Sequence, residues 1–175
     1  MRRFDLAPGE GLTDRLRRSP LPLAWALEAA TAIASELRDL HAGGRAHGAV
    51  ELESLRLSGE GISLGDACGG SSEAAMERDI AGYGRILNSM LTGSPEPQLP
   101  VAMSRKHRSA QALRAAALDH ARECVSGRPG IQRVATEVRL LAVLARQMPR
   151  VALEDPPSLS QIVPTEPTDE CATPP

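Results

Sequence analysis

The sequence predicts a mainly α fold with one small β-hairpin, on three observations. Aromatic residues make up 2% of the 175-residue chain, so the core must be built from Leu, Ala, Val and Ile. That composition favours helices over a β-sandwich. Apolar residues recur at helical spacing in four stretches between Leu23 and Ala145, the i, i+3, i+4, i+7 signature of a buried stripe. Two short apolar runs, Leu55-Arg56-Leu57 and Ile62-Ser63-Leu64, flank Gly59-Glu60-Gly61, which reads as a hairpin turn. The length suffices for one domain with a tail. Residues 1–150 read as the helical domain, and residues 151–175 as a disordered, Pro-rich acidic tail.

Taken in order, Phe4-Asp5-Leu6-Ala7 is a short apolar segment before a turn at Pro8-Gly9-Glu10-Gly11. Leu12 to Arg18 predicts a short helix with Arg15, Arg17 and Arg18 on a solvated face. Ser19-Pro20-Leu21-Pro22 predicts the start of a long helix, with Ser19 accepting from orphan N–H groups. Its stripe is Leu23, Ala26, Leu27, Ala30, Ile33, Ala34, Leu37 and Leu40, and Gly43-Gly44 ends it with a left-handed cap. After the hairpin, Gly69-Gly70-Ser71-Ser72 reads as a flexible link. A second long helix is expected from Ala74 to Thr92, stopped by Gly93. Gly82 and Gly84 inside it each cost about 1 kcal/mol relative to Ala, which predicts close packing against another backbone. Residues 94–108 read as a loop ending in Arg105-Lys106-His107-Arg108. Ser109 to Val125 predicts a third long helix. Pro129 is expected in the first turn of a fourth, with Val134, Val138, Leu141 and Ala145 inward and Pro149 as its stop.

Charge narrows the function classes. The net charge of −2 gives no global pull toward nucleic acid or anionic membrane, and the near absence of aromatics speaks against base stacking. The charge is split, however. Residues 101–150 carry ten Lys/Arg against three Asp/Glu, whereas 151–175 carry five acids and no base, so the tail is expected to fold back loosely on the basic helices. Cys68, Cys124 and Cys171 are far apart and form no CxxC pair, which fits a reducing cytoplasm and suggests neither a zinc site nor a disulfide framework. No apolar run approaches the roughly 20 residues needed to span a bilayer. Nothing after Met1-Arg2-Arg3-Phe4-Asp5 reads as the apolar region of a signal peptide.

Four short motifs, in order, resemble a known family. Phe4-Asp5-Leu6-Ala7-Pro8-Gly9-Glu10-Gly11-Leu12 resembles a last upper-lobe strand, hinge and following helix. Leu37 to His41 followed by His47-Gly48 resembles the helix leading into a His-Arg-Asp loop. Asp79-Ile80-Ala81-Gly82-Tyr83-Gly84 resembles an Asp-x-x-Ser-x-Gly helix start, and Cys124 to Pro129 a Cys-(x)n-Arg-Pro turn. Together they resemble the C-terminal lobe of a protein kinase of the bacterial serine/threonine type, over residues 4–147, with the N-lobe absent. The resemblance implies structural roles for His47, Asp79 and Arg128: His47 bracing the loop, Asp79 anchoring its backbone, and Arg128 pairing with an acid. Glu73 or Glu77 is the candidate acid.

The same resemblance implies lost chemistry. A kinase needs a carboxylate to orient the acceptor hydroxyl, a Lys and Mg²⁺ against the phosphates, and an Asn on the metal. Those positions fall on Ala49, Glu51 and Ser54. A carboxylate in place of the Lys reverses an interaction of roughly 4 kcal/mol at 4 Å and an effective dielectric of about 20. Asp66 keeps a metal-binding carboxylate, a weak metal candidate by itself. No Gly-rich loop and no Val-Ala-x-Lys strand appear. The expectation is a catalytically inactive, pseudokinase-like module without a cofactor. It would bind a protein partner, or a second copy, through apolar surface near Leu6, Leu55, Leu57 and Leu64 left bare by the missing lobe. The alternative is a residual nucleotide-binding protein or an atypical enzyme with a rewired site. His41 and His47 as metal ligands, and Glu51 and Glu53 as a glycosidase-like carboxylate pair, are weaker readings than a bracing histidine and two exposed acids.

Overall fold

The structure, a computed structural model, describes residues 12–58, 61–93, 108–127 and 129–148, without the side chains of 57, 58 and 108. The expectations for residues 4–11, for Leu57 as a side chain, for the basic run 105–108, for Arg128, for Pro149 and for the tail lie outside what is described. Among the described residues, five α-helices and one two-stranded antiparallel sheet follow in order: α1 Leu12–Arg18, α2 Leu23–Ala42, β1 Leu55–Ser58, β2 Gly61–Leu64, α3 Glu73–Thr92, α4 Arg108–Ser126 and α5 Ile131–Gln147. The protein is thus mainly α with a small hairpin.

The four long helices pack in a ring, with α2 against α3 and α5, and α4 against α3 and α5. Their shared core holds Leu27, Ile33 and Leu37 from α2, Tyr83, Leu87 and Met90 from α3, Ala117 and Ala121 from α4, and Val134 and Val138 from α5. Every one of these is essentially out of water. Small residues on α2 and α4 let the axes approach. Gly82 and Gly84 do the same on α3. A Cβ on Gly82 would overlap the Val50 carbonyl, and one on Gly84 would lie 2.6 Å from the Ala121 oxygen. The helix-propensity cost of two glycines is the condition for that contact.

Helix ends follow local chemistry. After α2, Gly44 adopts φ +71, Arg45 N–H donates to Leu40 O at 3.0 Å, and Gly44 N–H donates to His41 O at 3.0 Å. This pair of bonds is a Schellman motif, which a residue without Cβ permits. Ser72 caps α3 by accepting from Ala75 N–H at 3.2 Å, and Gly93 closes it at φ +75. The Arg114 guanidinium donates to Leu91 O at 3.1 Å, satisfying one of the last carbonyls of α3.

Three local expectations need correction. Ser19 does not cap α2; Pro22 occupies the cap position, and Ser19 Oγ instead accepts from the Arg15 guanidinium at 2.6 Å. Pro129 lies before α5 rather than in its first turn, because Gly130 is the cap residue. Residues 69–70 are not a loose link: Gly69 N–H donates to His47 O at 2.8 Å, and Gly70 O accepts from Ala46 N–H at 2.8 Å. No helix among the described residues is long and apolar enough to cross a membrane.

The hairpin sits on α2. Ile62 and Leu64 point inward from β2, and Leu64 N–H donates to the Glu36 carboxylate of α2 at 2.7 Å. Leu64 is 8% exposed and Leu55 is partly buried against the core. Of the apolar surface expected to be bare, Leu64 is covered because β2 lies on α2, and Leu55 is partly covered by packing against the core.

Candidate functional site

A buried polar cluster centres on Asp79, in the second turn of α3 and 1% exposed. One carboxylate oxygen accepts from His47 N–H at 2.6 Å and from His41 Nε2 at 2.9 Å; the other accepts from Gly48 N–H at 2.8 Å. A buried carboxylate is tolerable only when its oxygens are saturated by donors, and three short bonds achieve that. Gly48 adopts φ +85, and a Cβ there would meet the backbone of Gly69 at 2.5 Å. Sequence reasoning singled out His47 and Asp79 but missed His41 as the third donor. The signal was its place in the last turn of α2, one helix end away from the loop.

His47 is 1% exposed and has both ring nitrogens occupied. Nε2 faces the Gly65 carbonyl at 3.1 Å, which requires a donor, so the proton sits there. Nδ1 accepts from Ala49 N–H at 3.4 Å. Its carbonyl accepts from Cys68 and Gly69 N–H at 2.9 and 2.8 Å. No lone pair remains for a metal or for general-base work.

Of the positions that the resemblance assigns to chemistry, Ser54 and Asp66 have local side-chain partners. Ala49 offers no side-chain acceptor. Ser54 Oγ donates to Glu51 O at 2.7 Å and accepts from Glu51 N–H at 3.2 Å, closing the single 3₁₀ turn Leu52–Ser54. Asp66 is 91% exposed and pairs with Arg56 at 2.6 Å. An exposed pair of this kind is worth little energetically, yet it gives Asp66 a cationic side-chain partner. Among the described residues no group of three or more His, Cys, Asp or Glu side chains could hold a metal ion. Arg128, the third residue given a structural role, lies outside the described residues.

Beside the loop lies an open groove of about 540 Å³ lined by Glu36, Asp39, Arg45, His47, Gly65 and Asp66 among others. Three acids against one arginine make it a poor seat for a polyphosphate.

A second polar cluster, unforeseen from sequence, lies between α3, α4 and α5. Glu137 Oε2 is 3.0 Å from His120 Nδ1, and His120 Nε2 is 3.9 Å from Cys124 Sγ. The order Glu, His, Cys has the outline of a nucleophilic relay, but the chemistry does not follow. Cys124 is 2% exposed, and burial pushes its thiol up to about 12, so the reactive thiolate is absent at neutral pH. Burial also lowers His120, and Tyr83 stands edge-on to the His120 ring with its hydroxyl buried and unpartnered. The cluster is a packing feature. Comparison with protein-family models, curated proteins and solved structures finds no match.

Proposed function

We propose that the chain is a catalytically inactive, kinase-like helical lobe that serves as a protein-binding or regulatory module. The observation that carries this reading is the Asp79 clamp on His47 and Gly48 next to Ala49. The carboxylate fixes the loop's backbone, while the position that the resemblance gives to the catalytic carboxylate holds a methyl group. Phosphoryl transfer is almost entirely positioning and charge neutralisation. Here Glu51 and Ser54 close a turn on each other, Asp66 pairs with Arg56, and the adjoining groove is acid-rich. What the loop retains is shape, which suits recognition of another protein or of a second copy.

The test is a titration with ATP and Mg²⁺, read by thermal unfolding and by phosphate transfer to a general acceptor protein. The expected result is an unchanged melting temperature and no transfer. A second reading, a residual nucleotide site, is favoured by the groove alone, whose lining includes Arg45, His47 and Asp66. A saturable rise of several degrees, as mass action requires of a ligand bound to the folded state, would establish that reading and refute the first.

A further inference from the structure

We infer that the outward face of α5 is a docking surface for the acidic segment 151–170 of this same chain. The inference does not rest on the kinase-like reading and would stand if ATP did bind.

Leu140 is 60% exposed and Val143 and Leu144 are each 41% exposed, so α5 carries three of the four large hydrophobic side chains that stand exposed among the described residues. They lie opposite the buried Val134, Val138, Ala142 and Ala145. At spacings of three and four they form one row on the solvent side. Exposed Arg139 and Arg146 edge that row; Arg146 reaches Glu28 at 3.2 Å in an exposed pair. Arg133, at the helix start, is held by Glu123 and Glu137 at 2.8 and 2.7 Å. The face is therefore an apolar centre with a cationic edge.

Its occupant should be apolar with acidic flanks. A second copy meets that description badly, because two antiparallel copies of the face set the Arg139/Arg146 edge against its own image. Segment 151–170 meets it well. It contains Leu153, Leu159, Ile162 and Val163 among five acids, with no Lys or Arg. The stretch 101–150 has the complementary excess, ten basic residues against three acidic. Reach is ample. Residues 149–158 extend to roughly 33 Å, whereas Leu140 lies only about 12 Å back along the helix from Met148. Prolines at 156, 157, 164 and 167 restrict the segment before it docks, which lowers the entropy cost of ordering it. Tethering at the end of α5 gives it an effective concentration that a free partner of the same chemistry must overcome. Docked, the segment would shield α5 until such a partner displaces it.

The test is paramagnetic relaxation from a nitroxide on Cys171 in the full chain carrying Cys68→Ser; Cys124 is buried and does not label. The expected result is broadening of the Leu140, Val143 and Leu144 methyl signals that does not change on dilution. Adding Arg139→Glu and Arg146→Glu, both on exposed side chains, should reduce it several-fold. Absence of broadening overturns the inference. So does broadening that fades on dilution, which assigns the face to a second copy. Broadening centred on Ile62 and Leu64, or indifferent to the charge reversals, overturns it too.

Discussion

Asp79 uses both carboxylate oxygens on main-chain N–H groups of a loop more than thirty residues earlier in the chain. Removing it leaves two N–H groups and the His41 ring without an acceptor in a dry site. Each orphaned donor costs about 1–3 kcal/mol, so Asp79→Ala should lose roughly 3 kcal/mol or more in urea unfolding. A loss below about 1 kcal/mol would show that the clamp is decorative. Tyr83 makes the opposite case. Its hydroxyl is buried without a partner, and burial raises its ionisation well above the usual phenol range. Tyr83→Phe removes an unpaid desolvation, and stability should rise by about 1 kcal/mol. A fall of similar size would reveal a partner for that hydroxyl. At this scale the sequence was half legible. The pattern Leu-His-x-Gly-Gly followed by His-Gly marked His47, and Asp-x-x-Gly-x-Gly marked Asp79. Glu36, His120 and Glu137 were not marked, and His41 was marked only as a weak metal candidate, because their partners come from other elements of the fold and no local periodicity encodes such a meeting.

At the scale of elements, α3 shows two effects opposed at one position. Gly82→Ala gains about 1 kcal/mol of helix propensity. The new methyl would overlap the Val50 carbonyl, which is backbone and cannot swing aside. Overpacking of that kind costs about 1–3 kcal/mol, so the net effect should be a loss, and the loop at Val50 should show faster amide exchange. A stabilised Gly82→Ala variant would mean that α3 and the loop are looser than described. Helix extents were legible because Leu and Ala stripes, Gly-Gly and Gly93 are local signals. The start of α2 was misread because Ser19 has a competing partner, Arg15, four residues back. The apparent link at 69–72 was misread because glycine-rich composition signals flexibility and close approach alike. Here Gly69 is needed for contact with Gly48, and Ser72 for a cap.

Across the whole molecule, the joint between α3, α4 and α5 should be pH-sensitive. Burial holds His120 below its ordinary value, and the opposing pull of Glu137 does not restore it. Tyr83 from α3, Cys124 and Glu123 from α4, and Arg133 and Glu137 from α5 surround it. A depressed imidazole means that the unfolded chain takes the proton first. Its contribution to stability is full above about pH 6.5 and is lost as pH falls from there toward the folded value. Glu137, lowered chiefly by its hydrogen bond from Arg133, acts in a more acidic window. The melting temperature should drop as pH falls below about 6.5, and His120→Gln should flatten that limb. A wild-type limb identical to that of His120→Gln would contradict the assignment. The overall architecture was legible from composition and stripes. The placement of exposed apolar side chains was not: β2, expected to be bare, lies on α2, and among the described residues the exposed large hydrophobics lie mostly on α5.

The account turns on the loop around His47 being a rigid brace held by a buried carboxylate. Native-state amide exchange at His47 and Gly48 tests that most directly. Protection comparable to the buried middle of α3, and lost in Asp79→Asn while α2 stays protected, is the predicted result. Rapid exchange at both amides in the unaltered chain would contradict it.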